Sequence, residues 1–376
     1  MNTEKIFVLV FILVIVLCAS ALNFQATSIP HKKYLDEYGS IHSHMTMLKD
    51  EQRMRAYYDA IQLNSESHFA DKVVLDVGAG TGVLSIWAAK AGAKKVYAVE
   101  ASDICVYTKK VVVENGLSDV ITVLNQPVEK IKLTEKVDVV ISEWMGNFLL
   151  TESMVQSVIF ARDRWLKPDG VMYPSSVRLY ISSVDKSNVH DVYARSLHDS
   201  MTEWDDIQSN LFSKFGLKFT TLKHDYNDEA IKLQFYKLRQ MDLSNVKIGV
   251  PVALIDVDMH TAKLSDFLNW SKDVVLQSSD GSSINTLCGW FDVSFRVSSH
   301  NKHKNAPVIL TTSPHFPLTH WEQTVIVLGS SFLSGATMNI SLGQKKEFHH
   351  DLEIQFKYVD VNNETQHLIY ELTALE

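Results

Sequence analysis

The sequence predicts an α/β protein in two parts: a doubly wound parallel sheet, then an antiparallel sandwich or barrel carrying a helical insertion. Three patterns predict it. Residues 73–166 alternate apolar strand-like runs with helix-like stretches at the spacing of β-α-β units. After Lys167-Pro168-Asp169-Gly170 the pattern becomes short alternating segments, the mark of strands with one wet face. Between those segments, residues 188–222 read as helix and hold Trp204, Phe212, Phe215 and Phe219, more apolar surface than such a piece can bury on itself.

The chain opens with Lys5 and an uncharged run from Ile6 to Phe24 that includes Ala19-Ser20-Ala21, a small-residue pattern like a signal-peptidase site. The run is also about long enough to cross a bilayer as a helix, so signal peptide and anchor both stay open for residues 1–24. Residues 34–61 read as helix, rich in Met, Leu and Tyr with interleaved charge and no proline. Strands are expected at 73–77, 95–100, 121–126 and 137–142, and helices near 82–91, 102–115 and 152–166. Residues 171–184 and most of 245–372 then alternate, as in Val177-Arg178-Leu179-Tyr180-Ile181 and Leu352-Glu353-Ile354-Gln355-Phe356-Lys357-Tyr358. This divides the chain into 1–24, 34–174 and 175–376, with an arm at about 188–222.

Composition narrows the function. With 376 residues, 46% of them hydrophobic and 21% charged, the chain is globular and large enough for two domains. A formal charge of −8 argues against direct nucleic-acid binding and suits a basic substrate. The three cysteines, Cys18, Cys105 and Cys288, are too few for a disulfide framework, so the body reads as cytosolic in type.

Chemistry concentrates in two places. Val73-Val74-Leu75-Asp76-Val77 runs into Gly78-Ala79-Gly80-Thr81-Gly82, a strand entering a glycine-rich turn that either cradles a nucleotide-type ligand or simply packs helix on strand. Glu100 closes the next strand, where an acidic side chain meets both hydroxyls of a ribose. Asp76 is placed for the ammonium of an amino-acid tail, and Glu129, with Val128 beside it, lies where an adenine would sit. An acid near each end of the pocket fits S-adenosyl-L-methionine, which has a ribose and an ammonium but no phosphate. The second place is Glu143-Trp144-Met145-Gly146-Asn147-Phe148-Leu149-Leu150-Thr151-Glu152, a loop at the carboxyl end of a buried strand. Two carboxylates leaving one short loop suit a single cation, best a guanidinium. The reading calls for no metal.

These features, with Thr319-His320-Trp321 about 175 residues after the loop, resemble the protein arginine N-methyltransferases over roughly residues 34–372. The resemblance implies a Rossmann-like methyltransferase domain joined to a β-barrel, with the 188–222 arm mediating head-to-tail homodimers. It makes Glu143 and Glu152 the catalytic pair and sets His320 against Asp50. It assigns Arg53 to the cofactor carboxylate, Met47 to the pocket beside the sulfonium, and Gly78, Gly80, Asp76, Glu100, Val128 and Glu129 to the cofactor. Tyr38, His44 and Trp321 fall on the substrate side. Met47 with Thr-His-Trp resembles the subtype that makes mono- and asymmetric dimethylarginine on protein arginines, Arg/Gly-rich segments among them. Members usually carry tyrosine where this chain has Asn147 and Thr151, and phenylalanine where it has Leu35. The alternative is a catalytically weak paralogue acting as a scaffold or dimer partner. The expected location is cytosol-facing and membrane-anchored through residues 6–24, or the nucleus if that segment is not used.

Overall fold

The computed structural model describes residues 33–185, 188–226, 239–241, 243, 246–296, 306–344 and 351–372. The expectations for residues 1–24 lie outside the described residues. Among the described residues no helix is long and apolar enough to cross a membrane.

The parallel sheet is built from β1 (Val73–Val77), β2 (Lys95–Glu100), β3 (Ile121–Asn125), β4 (Val137–Ile141) and β5 (Leu166–Tyr173), in the order β3-β2-β1-β4-β5. β1 is buried at every position and β4 at all but Asp138, as expected for central strands covered on both faces. Helices Val83–Lys90 (α3), Cys105–Glu114 (α4) and Val155–Trp165 (α5) supply the crossovers. The chain turns from β1 outward to β2 and β3, then returns to lay β4 on the other side of β1. That reversal opens a crevice at the carboxyl ends of β1 and β4, where open α/β sheets hold ligands.

Two boundaries differ from the sequence expectation. Residues 171–173 belong to β5, which pairs parallel with β4, and antiparallel pairing begins only at Ser176–Ser183 (β6). Lys167-Pro168-Asp169-Gly170 reads as a turn, yet it runs within β5, where a register shift between Val137 and Val139 accommodates it. The 34–61 helix is three pieces: helical residues 33–38, then α1 (Ile41–Lys49) and α2 (Glu51–Leu63). Asp50 breaks it with an extended backbone (φ −72°, ψ 93°), and its carboxylate caps α2 by accepting from Arg53 N–H at 2.9 Å.

The second part is antiparallel. β6 lies between β8 (Val252–Asp258) and β10 (Ile284–Phe295), β10 also pairs β11 (Val308–Thr311) and β12 (Gln323–Phe332), β12 also pairs β7 (Arg239–Met241), and β9 (Trp270–Val275) belongs to a separate sheet. A four-stranded sheet of Trp270–Val275, Thr337–Gln344, Leu352–Val359 and Thr365–Leu372 completes the barrel domain. One apolar core continues from the parallel sheet into the barrel through Trp144, Phe148, Leu149 and Leu150, so the clamp loop is the seam between the parts. The expected arm is helix α6 (Asn188–Phe215), 28 residues long, with Phe212 and Phe215 exposed near its end.

Candidate active site

A cavity of about 550 Å³ lies over the crevice, walled by residues 33–48, the glycine turn, the clamp loop, Gln126–Glu129 and the His320-Trp321 pair. On its cofactor side Gly78, Gly80 and Gly82 all have positive φ, a conformation that favours glycine. A Cβ on Gly78 would stand 2.3 Å from Met154 Cε, and one on Gly80 would stand 3.0 Å from His44 Cε1, so the bare backbone lets both neighbours close on the turn. Glu100 reaches back to it: one carboxylate oxygen accepts from Gly80 N–H at 2.9 Å and the other from Ser102 N–H at 2.7 Å. Val128 and Glu129 line the far end, where Glu129 accepts from the Ser157 hydroxyl at 2.6 Å. Asp76 lies just beneath, fully buried, with Oδ2 on the Ser85 hydroxyl at 2.6 Å and Oδ1 without a hydrogen-bond partner among the described residues. Burial pushes its pKa up to about 7, against the Ser85 bond that lowers it, and the nearby Glu100 charge adds to the rise.

The two glutamates of the clamp face the same cavity with different partners. Glu143 Oε2 accepts from Arg53 Nε at 2.8 Å. Arg53 Nη1 also donates to the Met47 carbonyl at 3.2 Å, and Nη2 has no partner among the described residues. Glu152 accepts from the Tyr34 hydroxyl at 2.9 Å, and the Tyr38 hydroxyl reaches it too. Burial pushes Glu152 up to about 7, the two tyrosine bonds pull it back, and the charge of Glu143 raises it further. The loop holds this arrangement in a strained backbone, since Phe148, Leu149, Glu152 and Ser153 all have positive φ. The barrel supplies the restraint. Phe148 fills the place a Cβ on Gly289 of β10 would occupy, 2.2 Å from Cε2, and Trp144 packs edge-on against Phe267 at 5.9 Å.

His320 and Asp50 meet as expected: Asp50 Oδ2 accepts from the His320 backbone N–H at 2.9 Å and lies 2.7 Å from Nδ1. Burial alone would raise the Asp50 pKa, but hydrogen bonds from His320 and the Arg53 backbone outweigh it and hold the carboxyl below its usual range. Trp321 and His44, expected on the substrate side, both line the cavity and are both bonded within the protein. Trp321 is buried with its indole N–H on the Met145 carbonyl at 2.9 Å, so it pins the clamp loop and offers little surface to a substrate. His44 is buried against Gly80 with Nε2 bonded to the Tyr38 carbonyl at 2.9 Å, which puts it on the cofactor side. Arg53 is shared between the cofactor side and Glu143. Tyr34 is the functional side chain the sequence reading passed over. Its spacing of four from Tyr38 in a helical stretch, which places both rings on one face 4.9 Å apart, was the available signal. Asn147 is exposed and lines the cavity, while Thr151 is buried and its hydroxyl donates to the Asn147 carbonyl.

The chemistry of these donors tests a cofactor. Arg53, which lines the cavity, matches a carboxylate, and Glu100 beside the glycine turn matches a ribose, while the orphan oxygen of Asp76 lies beneath the lining and suits an ammonium only through the turn above it. The residues fit S-adenosylmethionine. A parallel sheet of this order, with a glycine turn and Glu100 at one end of the cavity and two glutamates at the other, fits the class of S-adenosylmethionine-dependent methyltransferases. The comparisons take the class further. A family model for ribosomal protein L11 methyltransferase matches residues 31–208, and one for the arginine methyltransferase oligomerization subdomain matches residues 188–362. Protein arginine N-methyltransferase 10 of Arabidopsis thaliana is 36% identical over 335 residues, covering 87% of this chain and 86% of the relative. Human protein arginine N-methyltransferase 2 is 35% identical over 300 residues, 79% of this chain and 64% of the relative. Among solved structures, Arabidopsis thaliana protein arginine methyltransferase 10 superposes with a TM-score of 0.78 at 35% identity, covering 89% of this chain and 98% of that one. The Trypanosoma brucei PRMT1 enzyme–prozyme heterotetramer with AdoHcy gives 0.72 at 31% identity, covering 90% and 100%. This chain belongs to the protein arginine N-methyltransferase family.

Proposed function

We propose that the protein transfers methyl groups from S-adenosylmethionine to the guanidino nitrogens of protein arginines, giving mono- and asymmetric dimethylarginine. The observation that carries the reading is the pair Glu143 and Glu152, both facing one cavity at the end of β4. When bound, the sulfonium donor supplies an electrophilic methyl group and keeps the electron pair of the broken S–C bond.

The chain's residues do the rest. A guanidinium is a poor nucleophile, because its lone pairs are delocalised and it stays protonated below pH ~12. Glu143 and Glu152 take different N–H edges of the incoming guanidinium, draw its positive charge away from one nitrogen and fix where that nitrogen points. Orientation of this kind supplies roughly 7–11 kcal/mol of barrier reduction where the geometry is near attack. Arg53 holds Glu143 while offering its other edge to the cofactor carboxylate, so donor and acceptor are positioned through one side chain. His320, fixed through Nδ1 by Asp50, is left with Nε2 to receive the proton the methylated nitrogen sheds. Met47 lining the cavity beside Arg53 supports the asymmetric product.

The exposed apolar end of α6 supports a homodimer assembled through the arm, and residues 6–24 support an anchored, cytosol-facing body. Glycan at Asn269, Asn339 or Asn363 in cell-expressed full chain would instead place the body in the lumen. The test of the activity is direct. Incubation with labelled S-adenosylmethionine and an arginine-bearing peptide should add one and then two methyl groups to a single side chain, with fragmentation showing both on one terminal nitrogen. Methyl groups split between the two terminal nitrogens would overturn the product assignment.

A further inference from the structure

A second, smaller recess of about 220 Å³ lies on the other side of the His320 loop, between α2 and the β10–β11 hairpin. Its walls are Ile309, Leu310, Phe316 and Pro317, with Gln52 at one edge and Asp292 of β10 among its lining residues. Ile309, Phe316 and the neighbouring Leu318 are exposed. Asp292 is the unusual member. Its Oδ1 is buried and has no hydrogen-bond partner among the described residues, while Thr311 bonds the carboxyl group and burial raises its pKa. Arg178, opposite it in the β6–β10 register, offsets part of that rise by its charge, but its own hydrogen bond goes to Asp256 at 2.9 Å and leaves Oδ1 without one. A carboxylate left partly unsatisfied in an apolar recess is costly unless a cation completes it.

The recess is tied to the reaction centre by the chain itself. Gln52 lines it and Arg53, the next residue, lines the large cavity. Pro317 lines it and His320, three residues on, lines the large cavity, a span of at most about 11 Å along an extended chain. The recess and the clamp are therefore close enough for one peptide of a few residues to reach both. The recess matches a long basic side chain: methylenes against Ile309 and Pro317, the cation on Asp292, and the Phe316 ring beside it.

We propose that this recess is a second subsite for the protein substrate, taking an arginine or lysine side chain a few residues from the arginine that is methylated. The substrate class is then one with paired basic residues. This rests on the reading of the large cavity as the arginine-methylating site, and the test keeps the two apart by measuring binding and turnover separately.

The experiment uses the full chain with S-adenosylhomocysteine and fluorescent peptides. Each peptide carries one target arginine and, two, three or four positions away on either side, a second arginine or a glutamine. At one spacing or more, the two-arginine peptide should bind about 10-fold more tightly than its glutamine counterpart. Asp292→Asn should remove that difference, and Phe316→Ala, a change at an exposed ring, should reduce it. Equal binding of both peptides at every spacing would overturn the subsite. A preference that survives undiminished in Asp292→Asn would also overturn it, by assigning the effect to the overall acidity of the protein. Flank-dependent binding without methyl transfer would uphold the subsite and sink the activity.

Discussion

Glu152 sits in a demanding environment. Its carboxyl is buried beside a second glutamate, and its pKa stands at about 7 against an ordinary 4.5. A group raised on folding contributes stability that is fully present below pH ~4.5 and lost as pH rises through about 7. Keeping Glu152 ionised therefore costs the cofactor-free protein about 3 kcal/mol at pH 8. Glu152→Gln should raise the melting temperature of the cofactor-free protein at pH 8 and change it little at pH 4.5. A melt series that shows no pH dependence in the difference would contradict this. The same ionisation sets the rate profile. kcat/KM should rise with pH through about 7 as the free enzyme's Glu152 loses its proton. The corresponding limb of kcat should lie lower, because a bound guanidinium favours the charged carboxylate. The placing of both glutamates on one cavity and the meeting of Asp50 with His320 were legible from residue type and resemblance. The tyrosine bonds to Glu152 were not, since only the fold brings Tyr34 across 118 positions.

Among the elements, the clamp loop shows what local sequence encodes and what it does not. The strands β1, β2, β3 and β4 were readable to within a residue: burial on both faces forces continuous apolar character in β1, β2 and β4, and the edge strand β3 is marked by its β-branched Ile121, Thr122 and Val123. β5 was misread, because its Pro-Asp-Gly carries turn chemistry inside a strand. The break at Asp50 was hidden by a sequence helical on either side, yet that break aims the carboxylate at His320. Nothing in Phe148-Leu149 or Glu152-Ser153 announces a left-handed backbone. Contacts made by the barrel hold it, above all Phe148 against Gly289 and Trp321 on the Met145 carbonyl. Gly289→Ala should thus act at a distance. A Cβ 2.2 Å from Phe148 Cε2 must displace the ring, at a cost of about 1–3 kcal/mol. Turnover should fall at least 10-fold while cofactor affinity, measured by calorimetry, stays within about 3-fold. Equal losses in both would place the restraint on the cofactor side instead.

At the scale of the whole molecule, a parallel sheet provides the crevice and an antiparallel barrel holds the loop that hangs over it, with one core joining them. The change of strand type near residue 170 was legible because the period of the apolar pattern changes there. The arm was legible as apolar residues with nowhere to go, and Phe212 and Phe215 are indeed exposed at 53% and 69%. Replacing both by serine should leave a soluble chain that sediments as a monomer at micromolar concentration, while the unaltered chain sediments as a dimer. A monomeric unaltered chain would contradict assembly through the arm. The central claim, that two glutamates on one loop activate an arginine beside the donor, is tested by one comparison. Methyl transfer to an arginine peptide and S-adenosylmethionine affinity are measured side by side for the unaltered protein and for Glu152→Gln. Glu152→Gln should lower the rate about 100-fold or more and leave cofactor affinity within about 3-fold. A Glu152→Gln protein that still methylates within a few-fold of the unaltered rate would contradict it.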